Sequence, residues 1–177
     1  MDDDTPAGLA PVDRDRFPAR GVNSLAPMGP RALARAFDAL LLAVPYLVIT
    51  IVAMMAVTGF DVDATADDLG LSTTQQYLLL IGPAVALVVV YETICTTLWG
   101  QTAGKVVAGV RVARLGNGRC PLWWESAIRI ALPGLVALVP HGLALFVAVC
   151  LYLAAGFDPL GRSVPDRAAG TVVVRAR

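Results

Sequence analysis

Two long apolar runs dominate the chain, at about 33–57 and 76–99, and a third follows a polar interval at 122–157. A membrane-crossing helix needs about 20 mostly apolar residues to match a hydrocarbon core roughly 30 Å thick. The first two runs meet that length. The third is too long for one helix and is interrupted at Pro140, His141 and Gly142, so it predicts a helical hairpin of two shorter arms. Its second arm, 143–156, is short for a span. The fold expected is therefore an all-α membrane protein with four transmembrane helices, the third and fourth forming the hairpin. Residues 1–30 are rich in Asp, Arg, Pro and Gly and lack an apolar segment. They predict a disordered cytoplasmic tail ahead of a transmembrane domain at 31–177, with no signal peptide, so that the first span directs insertion.

The polar intervals supply orientation. Arg14, Arg16, Arg20 and Arg31 precede the first run, and the next interval, 58–75, carries Asp61, Asp63, Asp67 and Asp68 with no Lys or Arg. Lys105, Arg111, Arg114 and Arg119 follow the second run, and Arg162, Arg167, Arg175 and Arg177 end the chain. Basic residues in short loops mark the cytoplasmic side. An inside–outside–inside–inside order requires an even number of crossings and puts both termini in the cytoplasm. A three-span rival lays 122–133 flat in the interface, because Glu125, Ser126 and Arg129 share one helical face; it would send the basic tail outside.

Composition agrees with a lipid environment. Of 177 residues, 56% are hydrophobic and only 16% charged, against about 25% charged in soluble domains. Mean hydropathy is +0.67. A net charge of zero argues against nucleic acid as a partner. Cys95, Cys120 and Cys150 match no metal-ligand spacing; no metal or cofactor is expected, and the cysteines read as small apolar side chains.

Against this background the ionisable residues inside the runs stand out. Asp38 lies in the first run, Glu92 in the second and Arg129 in the third. A charge at bilayer depth costs about 2.5–3.5 kcal/mol on insertion scales and calls for a partner or a function. Arg31 to Asp38, Trp99 back to Glu92, and Leu122 to Arg129 are each seven steps, about 10 Å along a helix. The three predict one layer in the cytoplasmic half of the membrane. Two carboxylates and one guanidinium leave that layer short of positive charge, a setting for a bound proton or cation. Within single helices, Arg35 can meet Asp38, and Glu125 can meet Arg129. The alternative role for these charges is fixing helix packing and register. Pro45, Pro83 and Pro133 interrupt the runs; each frees a carbonyl four residues back, and bending of a membrane helix accounts for them.

The segment 100–105 (GQTAGK) resembles a phosphate-binding loop but has one residue too few between its glycines, and Val106 replaces the Ser or Thr that would hold magnesium. Beyond it, alternation from Val110 and a Gly116–Gly118 turn suggest a strand, and 171–175 has the same character. The two could pair as a short cytoplasmic ladder that draws Asp166 towards the helix ends.

Three segments, RALARAFD (31–38), GQTAGKVVAGVRV (100–112) and RSVPDRAAGTVV (162–173), resemble in this order the signature segments of the RDD family, small bacterial membrane proteins named for one arginine and two aspartates. The resemblance covers about 30–175. It implies that Arg31 is the naming arginine and Asp38 and Asp166 the two aspartates, that Gly104 and Lys105 belong to the central signature, and that Arg129 matches a recurrent arginine. Pro165 stands where relatives commonly carry His, so a protonatable partner is missing there, and His141 reads as a helix-end residue. The resemblance implies the bacterial cytoplasmic membrane. For function it implies only suggestions: transport of unknown ligands, or sodium/proton exchange.

Two functions follow as expectations. One is transport of a cation or small ligand coupled to protons, with Asp38, Glu92 and Arg129 as the ion or proton site, working as a homo-oligomer because four short helices leave little room for a private pathway. The other is a non-transporting scaffold whose buried charges fix packing and whose basic loops bind a partner membrane protein or anionic lipids. No motif of an intramembrane enzyme is present, so no enzymatic activity is expected.

Overall fold

The computed structural model describes residues 14–59, 61, 68–140 and 142–177. Its elements in chain order are α1 (Met28–Thr58), α2 (Thr73–Trp99), α3 (Ala103–Val107), β1 (Val110–Arg114), α4 (Trp123–Ala137), α5 (Gly142–Leu153), α6 (Val164–Ala168) and β2 (Thr171–Arg175), with 3-10 turns at Arg14–Arg16 and Ala154–Phe157. His141 lies outside the described residues.

Helix boundaries have local causes. Ser72 caps α2, accepting from the Gln75 amide while the Gln75 side chain accepts from the Ser72 amide at 2.8 Å, which satisfies donors that the first turn leaves open. Gly100, at φ +67°, ends α2 in the left-handed region that glycine enters without a Cβ penalty. α1 and α2 contain 31 and 27 residues, about 46 and 40 Å at 1.5 Å per residue. Both are long and apolar enough to cross a membrane. The two expected arms are present as α4 and α5: α4 ends at Ala137, before Pro140, and α5 begins at Gly142. These arms, of 15 and 12 residues, are about 22 and 18 Å long, so by length only two helices among the described residues qualify as spans, against the four expected.

Burial in the helices runs opposite to that of a soluble protein. In α1 the buried residues are Ala34 and Asp38, whereas Leu40 and Val44 are 72% and 68% exposed. The buried residues of α2 are Glu92 and Thr96. Those of α4 include Glu125, Ser126 and Arg129. Ionisable groups are among the few buried residues of these helices, while many large apolar side chains face out. Such a surface is stable only where the solvent is itself apolar. Glu125, Ser126 and Arg129, the helical face on which the interfacial alternative rests, are buried in the protein.

The strand ladder forms as expected. β1 and β2 are antiparallel, with Val110 opposite Arg175, Val112 opposite Val173 and Arg114 opposite Thr171. Valine-rich strands suit a ribbon covered on both faces. One face packs Val110 and Val173 on Ala26 and Ala34. The other packs Ala113, Val172 and Val174 with Phe17, Leu25 and Leu115. Of the tail expected to be disordered up to Pro30, the described residues 14–30 are folded onto the protein: Leu25 bridges Val174, the Ala26 amide donates to the Val173 carbonyl at 3.1 Å, and α1 begins at Met28. Apolar Leu25 and Ala26 have a strand edge to bury against. Together α3, α6, the ribbon and residues 23–26 form a polar-ended cap at the N-terminal end of α1 and the C-terminal end of α2.

Inside-out burial separates two leucines of equal chemistry. Leu160, 2% exposed in the segment between α5 and α6, should lose about 2–5 kcal/mol of stability on Leu160→Ala. Leu40→Ala should cost under about 1 kcal/mol, because an apolar surround replaces most of what is lost. Unfolding in detergent micelles measures both; equal losses would contradict the arrangement.

Candidate functional site: a buried charge cluster

The cap meets the membrane helices at a group of ionisable side chains. Asp38 projects from α1 onto α3 and accepts three hydrogen bonds, from the Gly104 amide at 2.8 Å, the Thr102 hydroxyl at 2.5 Å and the Tyr91 hydroxyl at 3.0 Å. Thr102 is also the N-cap of α3, and the Tyr91 hydroxyl in turn accepts from the Ala103 amide. A carboxylate fixed by three donors needs no ammonium or guanidinium partner. The Arg35–Asp38 pair expected within α1 does not form; Arg35 reaches α2 and pairs with Glu92.

Gly104 shows why this contact demands glycine. A Cβ there would lie 2.1 Å from the Ala34 carbonyl oxygen and 2.9 Å from the Asp38 carboxylate. Two backbones approach as closely as they can, with Ala34, 1% exposed, as the small residue opposite.

Glu92, 2% exposed, takes Lys105 Nζ at 2.6 Å on one oxygen and Arg35 on the other. Arg129 Nη1 stands 4.0 Å from the same carboxylate. Arg129 Nε lies 2.5 Å from Asp166 Oδ1, so one guanidinium links α4 to both α2 and α6. The expected Glu125–Arg129 pair is likewise absent. Glu125 turns to Arg114 at 2.9 Å and to the Leu122 amide at 2.8 Å, holding the start of α4 on β1. Asp166 caps α6 with Ser163, whose hydroxyl donates to it at 2.7 Å. Arg31 donates to the carbonyls of Gly161 and Val173 and lies within electrostatic reach of Asp166. Arg35 also stacks over the Tyr152 ring at 4.9 Å, which brings α5 to the cluster by a cation–π contact.

Two groups in the cap have displaced protonation equilibria. Burial would raise the Asp166 carboxyl, but Arg129, the Ser163 hydroxyl and amide, and Arg31 outweigh it and hold the group below the usual carboxylate range. Burial pushes Lys105 down; Glu92 opposes this, Arg129 and Arg35 reinforce it, and the result is about 8.

The structure thus brings Glu92 and Arg129 together and places Asp38 beside Glu92 on the wall of one cavity between α1 and α2. The charge balance expected for that layer is corrected. Arg31, Arg35, Lys105 and Arg129 face Asp38, Glu92 and Asp166, four cations against three carboxylates, so the group carries an excess of positive charge. The extra cations come from α3 and from the N-terminal end of α1, whose distance from Glu92 along the chain hides the contact. Lys105 was foreseen only through its motif; as the direct partner of Glu92 it had no local signal, although a basic residue after a membrane helix end was visible. Thr102 and Tyr91 also had no signal.

All five signature positions, Arg31, Asp38, Gly104, Lys105 and Asp166, lie in or beside this cluster. The RDD family model matches residues 25–170. The chain belongs to the RDD family. No curated protein and no solved structure matches it. With two apolar helices long enough to cross a bilayer, this RDD chain is a membrane protein.

Gly104→Ala gains helix propensity of about 1 kcal/mol, yet the backbone overlap should outweigh it and destabilise the fold by about 1–3 kcal/mol; thermal unfolding in detergent measures the net sign. For Lys105, the unfolded chain holds its proton up to its ordinary value of 10.5 and the folded chain only to about 8. Between those values the unfolded state binds more protons, so stability from this group rises with pH. The slope of stability against pH over that window should be more positive in the native chain than in Lys105→Met.

Proposed function

We propose that this RDD protein is a four-crossing, non-transporting scaffold of the bacterial cytoplasmic membrane, with both termini on the cytoplasmic side, whose charge cluster locks the cap onto the membrane helices. The observation that carries this reading is the engagement of all three cluster carboxylates by donors built into the protein, with positive charge left over. Asp38 is saturated by α2 and α3, Glu92 by Arg35 and Lys105, and Asp166 by Arg129 and Ser163. A cation would have to displace several of these at once and enter a region that already repels it.

The four-crossing topology draws support from how α4 lies along α2. Arg129 is near Glu92, Gly134 abuts Val85 and Val89, and the Tyr77 hydroxyl donates to the Ala137 carbonyl at 2.6 Å. α4 therefore runs antiparallel to α2 from the cluster towards the first turns of α2, where the Tyr77 side chain meets its end. Basic cap loops and acidic Asp61 and Asp68 at the opposite end fit the cap in the cytoplasm.

A second reading, proton-coupled transport by an oligomer, draws on one observation. Buried Lys105 touches Glu92, and burial lowers its proton affinity to about 8, towards the range of a proton-exchanging pair. Reconstituted proteoliposomes separate the two. The scaffold reading expects sodium and proton flux no greater than in empty liposomes, and a lowered unfolding temperature for Asp38→Asn as its main effect. Flux well above background that Lys105→Met or Asp38→Asn abolishes would replace it with the transport reading.

A further inference from the structure

A cavity of about 650 Å³ opens between the N-terminal part of α1, the C-terminal end of α5, α6 and the ribbon. Its walls divide by chemistry. Arg31, Arg35, Lys105 and Arg129 line one part, with Asp166 as the carboxylate among them; Met28, Ala32, Val149 and Leu153 line another. Val149 and Leu153 are more than half exposed, so the apolar wall is continuous with the outward surface of α5.

The cationic part is short of acceptors. The Arg129 side chain is 5% exposed, yet its Nη1 and Nε make no hydrogen bond, and neither does Arg31 Nε. The contact of Arg129 Nε with Asp166 is charge–charge, off the line of the N–H. Buried guanidinium donors without acceptors carry a desolvation cost that an anionic oxygen ligand removes. Asp166 offers little further, because Ser163 and Arg129 already occupy it. A phosphate has the oxygen acceptors these forks fit, and an acyl chain fits the apolar wall.

We propose that this cavity is a binding site for the phosphate headgroup of an anionic phospholipid, seated on Arg31 and Arg129 with its acyl chains against Ala32, Val149 and Leu153. Basic pockets between membrane helices at the cytoplasmic face take such headgroups. The site deepens the scaffold reading, and rests on it only for which leaflet supplies the lipid.

The test uses the full chain in micelles of a neutral detergent, with thermal unfolding followed on addition of phosphatidylglycerol, phosphatidylcholine or inorganic phosphate. Phosphatidylglycerol should raise the unfolding temperature saturably, by roughly 5–10 °C at a hundredfold excess over Kd. The other two should leave it unchanged. Arg129→Gln removes a structural contact and can fail to fold, so the deciding variant is Ala32→Trp, which fills the cavity from an exposed position without touching an ion pair. It should lose the phosphatidylglycerol shift, while Ala36→Trp, exposed one turn on and outside the cavity lining, keeps it. An undiminished shift in Ala32→Trp, or an equal one with phosphatidylcholine, overturns the site. A shift with inorganic phosphate that Ala32→Trp abolishes overturns the lipid and assigns a free anion. Micelles have no sides and support no flux, so failure here leaves the scaffold reading standing, and flux in proteoliposomes leaves this site standing.

Discussion

A charge in a low-dielectric interior is tolerated only when paired or fully hydrogen-bonded, and that constraint organises this molecule. α1, α2 and α4 each carry one or more ionisable residues within an apolar helix, and each turns those residues towards protein while many of its large apolar side chains face out. The partners cannot all come from neighbouring membrane helices, because those are nearly uncharged. They come from the cap. Lys105 answers Glu92, Asp166 answers Arg129, and the α3 backbone with Thr102 answers Asp38. Membrane helices and cap are thus not separable folding units; each supplies the other's missing partners.

This interdependence explains why short elements are so well defined. α3 and α6 contain five residues each, below the length at which a helix in water holds itself together. Thr102 and Ser163 cap them, and Asp38 and Arg129 pin them from the membrane side. The ribbon gains its place in the same way: the Val112 amide donates to the Gly100 carbonyl at 2.7 Å, so β1 hangs directly from the end of α2. Replacing such buried pairs by apolar groups need not weaken a protein, whereas removing one member leaves a stranded charge. The cluster therefore specifies which surfaces meet more than it adds to stability.

The surplus of positive charge shapes what the cluster can accept. Carboxylates shared between helices would make a cation site had they faced one another with a single guanidinium nearby. Instead each is matched, and among the described residues the buried guanidinium donors left without a hydrogen bond belong to Arg129 and Arg31. Those donors lie where the cap, the end of α5 and the start of α1 leave space, with an apolar wall leading outward. Chemistry of this kind selects an anion with a greasy end over a hydrated metal ion.

Much of this was written in one dimension. Two spans, the break between α4 and α5 around Pro140, the strand ladder and the family follow from run lengths, turn residues and short motifs, all of which act within a few residues of one another. That Asp38, Glu92 and Arg129 come close to one another was legible too, since helical rise is constant. Partner choice was not. Arg35 is three residues from Asp38 and Glu125 four from Arg129, yet both local pairs yield to contacts 57 and 11 residues away, because the packing of α1 on α2 and of α4 on β1 decides which carboxylate lies within reach. Net charge at the cluster depended on α3 and on the first turns of α1 folding over it, and a sum over three chain positions could not include them. Spacing along a helix sets height and face; only the assembled helices determine which opposite charge occupies the same few ångströms.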